Sequence, residues 1–299
     1  YREAVEGAAS GAIILPGEFI ARTKIKVPQK EAFSSEPFVL WPAQERVLDA
    51  MLSEPRLVIL KARQLGITWL ACGYILWLCT QHPGKLVLVF SQGQLEASEI
   101  VDRVRFLAYE HQDVKSFPKL TTDNTQELEW ANKSRIQSMP ATKRAGRSFT
   151  ASLVVFDEFA FMLWGAQLFA AAKPTVDDGG RLWIISSADG QASPYHQFWQ
   201  RAVTRLNGFK PIFLDWTARP DRSVGWREER LIETYGDTAF IYREYPENDE
   251  EAFSAASGRI FDTWSDGPLD GNVTEDATYI PDAGPILWSM DDGYVGKID

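Results

Sequence analysis

Two kinds of run alternate along this chain. Leu57 to Leu60, Lys85 to Ser91, Leu153 to Asp157 and Arg181 to Ser186 are short and almost continuously apolar, as expected of strands buried on both faces rather than strands with one wet face. Between them lie stretches that predict helices: Ala43 to Leu52, with Pro42 at its start where the missing N–H costs nothing, then Thr68 to Thr80 and Leu95 to His111. This alternation predicts an α/β fold with a mainly parallel core sheet of at least four or five strands and crossover helices. Glu127 to Trp130 and Ser134 to Ser138, either side of Asn132-Lys133, predict a hairpin inserted before the next core strand.

Outside residues 37–208 the pattern changes. Residues 1–36 mix Gly and Pro with short apolar runs and read as an extended N-terminal arm. Residues 209–262 hold one strand, Pro211 to Trp216, and two charged helices, Trp226 to Tyr235 and Asp237 to Tyr245, which together predict a small helical subdomain. Asp, Gly and Pro then accumulate, so 263–284 reads as a linker. A further strand from Pro285 to Met290 opens 285–299, expected to be the truncated start of another domain. The first residue is Tyr1 rather than Met, which fits a missing segment at that end.

The first strand and its helix are joined by Lys61-Ala62-Arg63-Gln64-Leu65-Gly66-Ile67-Thr68. A loop of this kind aims backbone N–H groups and the positive end of a helix at one point, where a phosphate can sit. The usual pattern ends Gly-Lys-Ser/Thr, the lysine reaching the β- and γ-phosphates and the hydroxyl binding Mg²⁺. Here Ile67 stands in the lysine's place. An isoleucine neither neutralises a phosphate nor donates to it, so the loop is inert or is served by Lys61 or Arg63.

Two further strand ends bear on that choice. Leu153 to Asp157 runs into Glu158, and successive side chains at a strand end diverge. Asp157 therefore suits Mg²⁺ or its waters, and Glu158 a water in line with the γ-phosphate; alone, the pair equally describes a solvated acidic turn. Ser186 and Ser187 close the Arg181 strand with two hydroxyls, the place of a γ-phosphate sensor or of ordinary strand-end capping. Loop, carboxylates and hydroxyls in this order on these elements point together to nucleotide hydrolysis.

Composition narrows the field. With 299 residues, 45% of them hydrophobic, the chain can bury a large core. A formal charge of −10 and a pI near 5.0 exclude a surface coated in positive charge, so nucleic-acid contact must come from local Lys/Arg clusters or from assembly. The two cysteines, Cys72 and Cys79, share one apolar helix and suit core packing in a reducing compartment, not a disulfide or a metal cluster. The longest apolar run, Ile67 to Cys79, is too short to span a bilayer. Trp69, Trp77 and Trp183 lie within helices or strands and are expected in the core.

In order, Trp41-Pro42-Ala43-Gln44, Lys61 to Thr68, Val154-Val155-Phe156-Asp157-Glu158, Ser186-Ser187-Ala188 and Tyr245-Pro246-Glu247-Asn248-Asp249-Glu250-Glu251-Ala252-Phe253 resemble the large terminase subunit of tailed bacteriophages, over nearly the whole chain from about residue 37. The displaced lysine and the Glu-Glu-Ala-Phe segment are its most specific markers. The resemblance implies a P-loop ATPase of the ASCE type with a small helical lid subdomain, which moves double-stranded DNA through a portal into a procapsid. It also implies a metal-dependent nuclease domain of RNase H-like fold, of which only the first strand is present. ATP and Mg²⁺ are the implied cofactors, with a divalent metal for a complete nuclease. The implied partners are double-stranded DNA, the portal protein, the small terminase subunit and a ring of identical subunits, in the host cytoplasm. Matched residue by residue, Lys61 becomes the phosphate lysine in a nucleotide-binding loop of Ala62, Arg63, Gln64, Leu65, Gly66 and Ile67. Gln44 reads the adenine edge, with Trp41 packed on the base or anchoring the arm. Thr68 and Asp157 organise Mg²⁺, Glu158 orients water, and Ser186 and Ser187 couple hydrolysis to movement.

Phosphoryl transfer gathers charge that an arginine stabilises. Arg63 is the candidate acting on its own subunit's ATP; Arg144 and Arg147 are candidates for projecting into a neighbour's site or for touching DNA phosphate. Asp291 resembles the first metal-binding Asp of RNase H-like nucleases, although Asp291-Asp292-Gly293 is also good turn chemistry; the other carboxylates of such a site are not in the chain, and no nuclease activity is expected of it. Two other readings remain open: a helicase-like remodeller, which needs a second motor domain, and a non-catalytic scaffold with a decayed loop.

Overall fold

The computed structural model describes residues 14–28, 33–142, 149–191, 193–254, 286–289 and 295–298. The chain divides into two units, Tyr1–Ala255 and Ala256–Asp299. Within the first, the short pair β1 (Lys24–Pro28) and β2 (Phe33–Pro37) is antiparallel. The central sheet is built from β3 (Arg56–Lys61), β4 (Leu86–Ser91), β5 (Leu120–Asp123), β6 (Glu127–Trp130), β7 (Arg135–Pro140), β8 (Leu153–Asp157), β9 (Arg181–Ser186) and β10 (Lys210–Leu214). Its order is β10-β3-β9-β8-β4-β7-β6-β5. The pairings from β10 to β7 are parallel, and β6 and β5 continue antiparallel.

The apolar runs have a simple physical reading. Along β3, Leu57 and Ile59 enter one core while Val58 and Leu60 enter another; Val87 and Val89 part from Leu88 and Phe90 in the same way, and Val155 and Leu153 from Val154 and Phe156. Period-2 alternation is therefore present in these strands, but both faces are apolar because both are covered. Helices Pro42–Ser53, Ile67–Gln81 and Gln94–Tyr109 cover one face through residues such as Val47, Leu70 and Val104. Helices Gly165–Ala172 and Pro194–Val203 cover the other through Leu168 and Tyr195. Cys72 and Cys79 are buried free thiols, and burial pushes Cys72 up to about 12. No helix among the described residues is long and apolar enough to cross a membrane.

Several expectations change. The Glu127 hairpin is not an insertion: its second strand, β7, pairs in parallel with β4 and carries the sheet outward. Lys133 takes the left-handed turn position, φ 69°, and Asn132 ties the turn inward by donating to the Cys79 carbonyl at 2.9 Å. The strand after residue 209 is β10, which extends the core sheet beside β3, so the helical segment proper begins after it, with helices Trp226–Glu233 and Thr238–Glu244. The Glu-Glu-Ala-Phe segment forms a short helix, Asp249–Ser254, that buries Ala252 and Phe253 in the second core. Trp199 Nε1 donates to Asp249 there at 2.8 Å.

Within the expected extended arm, the described residues include a helix packed on the core. Helix Pro16–Ala21 buries Phe19 and Ile20, the latter against Gly73, where a Cβ would come within 3.0 Å of the Ile20 side chain. The His111 ring lies 4.2 Å from that of Phe19. In the second unit β11 (Ile286–Ser289) pairs antiparallel with β12 (Val295–Ile298); the linker 263–284 and Asp291 lie outside the described residues. Ile20 is fully buried, so Ile20→Ala is expected to destabilise the folded unit by about 2–5 kcal/mol, read by urea unfolding; a change below about 0.5 kcal/mol would show that the arm does not contribute to the core.

Candidate active site

The strand order decides where chemistry can gather. β9 lies between β3 and β8, with Leu60 opposite Ser186 and Asp157 opposite Ile185, so the carboxyl ends of all three strands open into one crevice, the usual ligand position of parallel sheets. Lys61 leaves β3 at this edge. The loop that follows needs two left-handed residues, Gln64 at φ 61° and Gly66 at φ 69°, before helix Ile67–Gln81 begins. At Gly66 a Cβ would sit 2.6 Å from Gln44 Nε2, so glycine is required by both conformation and space.

Ile67 is 1% exposed and its side chain belongs to the core. Lys61 reaches across instead, its Nζ donating to Glu158 Oε1 at 2.9 Å. Thr68 Oγ1 donates to Asp157 Oδ1 at 3.0 Å. Each end of the loop thus meets one carboxylate of the strand-end pair.

Those carboxylates differ because their surroundings differ. Burial, with the Glu158 charge beside it, pushes Asp157 up to about 6 against the opposing pull of Lys61 and Thr68. Burial acts in the same sense on Glu158, but Lys61, through charge and hydrogen bond, outweighs it and holds the carboxyl below its ordinary value. Glu158 also has a left-handed backbone, φ 57°, an arrangement that costs energy in a non-glycine residue and is found at functional sites. It turns the side chain toward Lys61 and toward Ser187, whose N–H and Oγ lie 3.4 and 3.5 Å from Oε2. Ser186 is buried and accepts from the Ala160 N–H at 3.0 Å, holding the segment after Glu158.

A cavity of about 400 Å³ lies over the loop, lined by Lys61, Gln64 to Trp69, Asp157 and Glu158. Trp69, expected in the core, is half-buried and lines it. The Thr68 hydroxyl and the Asp157 carboxylate are hard oxygen donors, and Mg²⁺ characteristically takes one or two such groups together with substrate phosphates. Among the described residues no set of three or more His, Cys, Asp or Glu forms an all-protein metal cage.

Gln44 is buried, accepting from the Trp41 N–H at 3.0 Å and donating to the Leu65 carbonyl at 3.0 Å. It therefore clamps the loop, and its amide keeps one N–H and one lone pair uncommitted in these two bonds. Trp41 packs under the guanidinium of Arg219 at 5.5 Å. Arg63 is held outside the main cavity by an ion pair with Glu244 and lines an adjoining one of about 470 Å³ with Lys61 and Glu158. Arg144 and Arg147 lie outside the described residues.

Sequence reasoning missed two groups. Glu96, Glu99 and Arg103 line the main cavity from helix Gln94–Tyr109; their spacing of three and four puts them on one helix face, a legible signal, although nothing in it names the crevice. Arg219, Arg222 and Glu244 approach the loop from the segment beyond β10: Arg222 donates to the Arg63 carbonyl at 2.8 Å and Arg219 to that of Gln64 at 3.4 Å. No local pattern links these residues to a loop so distant in sequence.

The family model for the terminase large subunit, T4likevirus-type, N-terminal, matches residues 58–263. Among solved structures, the large terminase ATPase domain of Thermus phage P74-26 aligns with a TM-score of 0.58 at 18% identity, covering 70% of this chain and 93% of that one. The large terminase of the thermophilic bacteriophage D6E gives 0.56 at 12%, covering 76% and 57%, and that of bacteriophage HK97 gives 0.55 at 16%, covering 79% and 49%. The chain thus spans nearly all of the isolated ATPase domain but about half of these two longer large terminases. No curated protein matches it. With a mainly parallel α/β sheet, a strand-to-helix loop closed on two carboxylates and a family match over most of its length, the chain belongs to the terminase large-subunit family of phage DNA-packaging ATPases.

Proposed function

We propose that this chain binds ATP with Mg²⁺ in the crevice above β3, β9 and β8, hydrolyses it, and uses the cycle to drive double-stranded DNA into a procapsid. The observation that carries this reading is the pair of contacts from the loop's two ends to the two carboxylates, Lys61 to Glu158 and Thr68 to Asp157. Lys61 supplies the cation that Ile67 cannot, approaching from the start of the loop rather than its end. The loop amides and the positive start of helix Ile67–Gln81 face the phosphates. Thr68 and Asp157 would hold Mg²⁺, which when bound would supply charge neutralisation at the phosphate oxygens. Glu158 orients the attacking water, and its hydrogen-bonded neighbour Ser187, with Ser186 behind it, transmits the change at that carboxylate to the segment after β8. Gln44, with its remaining hydrogen-bonding capacity, and Trp41 serve the adenine side. Arg63 completes the charge on its own subunit's side; Arg144 and Arg147 are the candidates to act on a neighbour within a homo-oligomeric ring.

Family membership supports a wider reading: a portal protein and a small terminase subunit as partners, the host cytoplasm as the setting, and a metal-dependent nuclease in the longer protein, to which Asp291 would contribute one ligand. The negative charge of the chain, −10 overall, favours DNA contact through a local patch in such a ring over contact across the whole surface.

Steady-state ATP hydrolysis with and without double-stranded DNA tests this directly. Lys61→Ala is expected to abolish turnover, and adding Ile67→Lys is expected not to restore it and to lower Tm, because position 67 is inside the core and an unpaired buried charge is costly. Ordinary turnover in Lys61→Ala would overturn the relocated-lysine reading. For Glu158→Gln the expectation is retained ATP binding by equilibrium fluorescence with turnover lowered by about 10²-fold or more; equal rates in the two proteins would remove Glu158 from the reaction.

A further inference from the structure

Arg63 is gripped by the distant helix Thr238–Glu244 at both its backbone and its side chain. Its N–H donates to the Glu244 carbonyl at 2.9 Å, and its guanidinium pairs with the Glu244 carboxylate. The Arg63 carbonyl is taken by Arg222 at 2.8 Å. The neighbouring Ala62 N–H donates to the Leu214 carbonyl of β10 at 2.9 Å. The Arg63 N–H, carbonyl and guanidinium Nε are thus all engaged from the segment beyond β9.

Glu244 is an expensive residue to place there. It is 4% exposed, and a carboxylate removed from water costs several kcal/mol unless it is well paired. Its two oxygens are divided: Oε1 accepts from Arg243 Nε at 2.9 Å, and Oε2 faces Arg63. An apolar side chain would close the core at this point more cheaply, so the charge needs another reason. The platform is also stiff. Tyr245 meets Trp226 edge-on at 4.8 Å, Trp226 stacks on Trp216 at 6.0 Å, and the Arg222 guanidinium lies 4.3 Å over Trp226. Arg63, more than half exposed on its side chain, is the one partner in the group that lines a cavity with Lys61 and Glu158.

We infer that Glu244 is a positioning residue for ATP hydrolysis: its buried carboxylate fixes the Arg63 guanidinium at the mouth of the crevice beside Lys61 and Glu158, adding a side-chain link between the helical segment and the loop to the backbone bonds already there. The inference rests on the ATPase reading above. Glu244 lines neither cavity at the loop, so it acts through Arg63 and not on the nucleotide. Loss of its charge leaves the loop's backbone bonds in place and weakens the hold on the guanidiniums of Arg63 and Arg243, of which only Arg63 lines the cavity with Lys61 and Glu158.

A double-mutant cycle on the whole chain tests it, with Glu244→Gln, Arg63→Ala and the pair compared by steady-state ATPase kinetics. Misplacement of a positioned group costs up to about 10²-fold in rate, so Glu244→Gln is expected to lower kcat by about one to two orders of magnitude with KM for ATP nearly unchanged. In the Arg63→Ala background the same substitution is expected to have no further effect on kcat, since groups acting as a unit are non-additive. Glu244→Asp keeps the charge and gives a second arm should Glu244→Gln fold poorly by thermal melting: a smaller kcat loss in the wild-type background and none beside Arg63→Ala. Additive losses, or a rise in KM matching the fall in kcat, would mean that Glu244 only supports the fold. Absence of hydrolysis in the unsubstituted protein removes the ATPase reading itself, whereas hydrolysis with an additive cycle removes only the role of Glu244.

Discussion

The rest of the structure depends on a sheet buried on both faces. Val58, Leu60, Leu57 and Ile59 of β3 are all fully buried, and the same holds for most of β8 and β9, because helices lie against each side. No charged side chain can be placed along such strands without severe desolvation. Polar chemistry is therefore confined to the strand ends, and the order β3-β9-β8 brings three of those ends together. Lys61, Asp157 with Glu158, and Ser186 with Ser187 are neighbours for that reason, although their strands are far apart in sequence.

Confinement at the edge of an apolar core also sets the electrostatics. Two adjacent carboxylates next to the core repel each other and pay for lost water, and one lysine and one threonine hydroxyl answer that cost unequally. Asp157 receives a neutral hydroxyl and stays raised; Glu158 receives the ammonium of Lys61 and is held down. Lys61, which lines the cavity, thus also sets the state of the carboxylate beside it. Position 67 belongs to the core, where Ile67 joins Leu65 and Leu70. The loop's cation at the crevice is Lys61, paired with Glu158.

The segment after β10 has a part in the site that its charged, amphipathic helices do not announce. Arg219, Arg222 and Glu244 hold the carbonyls and N–H of the phosphate loop, so the loop is braced on one side by Gln44 and on the other by this segment. A loop with two left-handed residues in succession of three needs such bracing to keep one conformation. The helical segment and Arg63 are joined by direct hydrogen bonds and an ion pair, so the position of one constrains that of the other.

The sequence by itself determined the α/β class, the element order, the phosphate loop and the acidic strand end, because periodicity and strand-to-helix loops are local properties of neighbouring residues. It also pointed to Lys61 through the resemblance carried by quoted motifs. Tertiary structure alone decided that β7 and β10 join the central sheet, that the arm folds onto Gly73 through Ile20, that Gln44 clamps the loop at Leu65, and that Arg63 is held by Glu244. The reason is the same in each case. Strand neighbours and buried ion pairs are chosen by partners distant along the chain, and a single sequence records each residue's chemistry without recording which distant residue satisfies it.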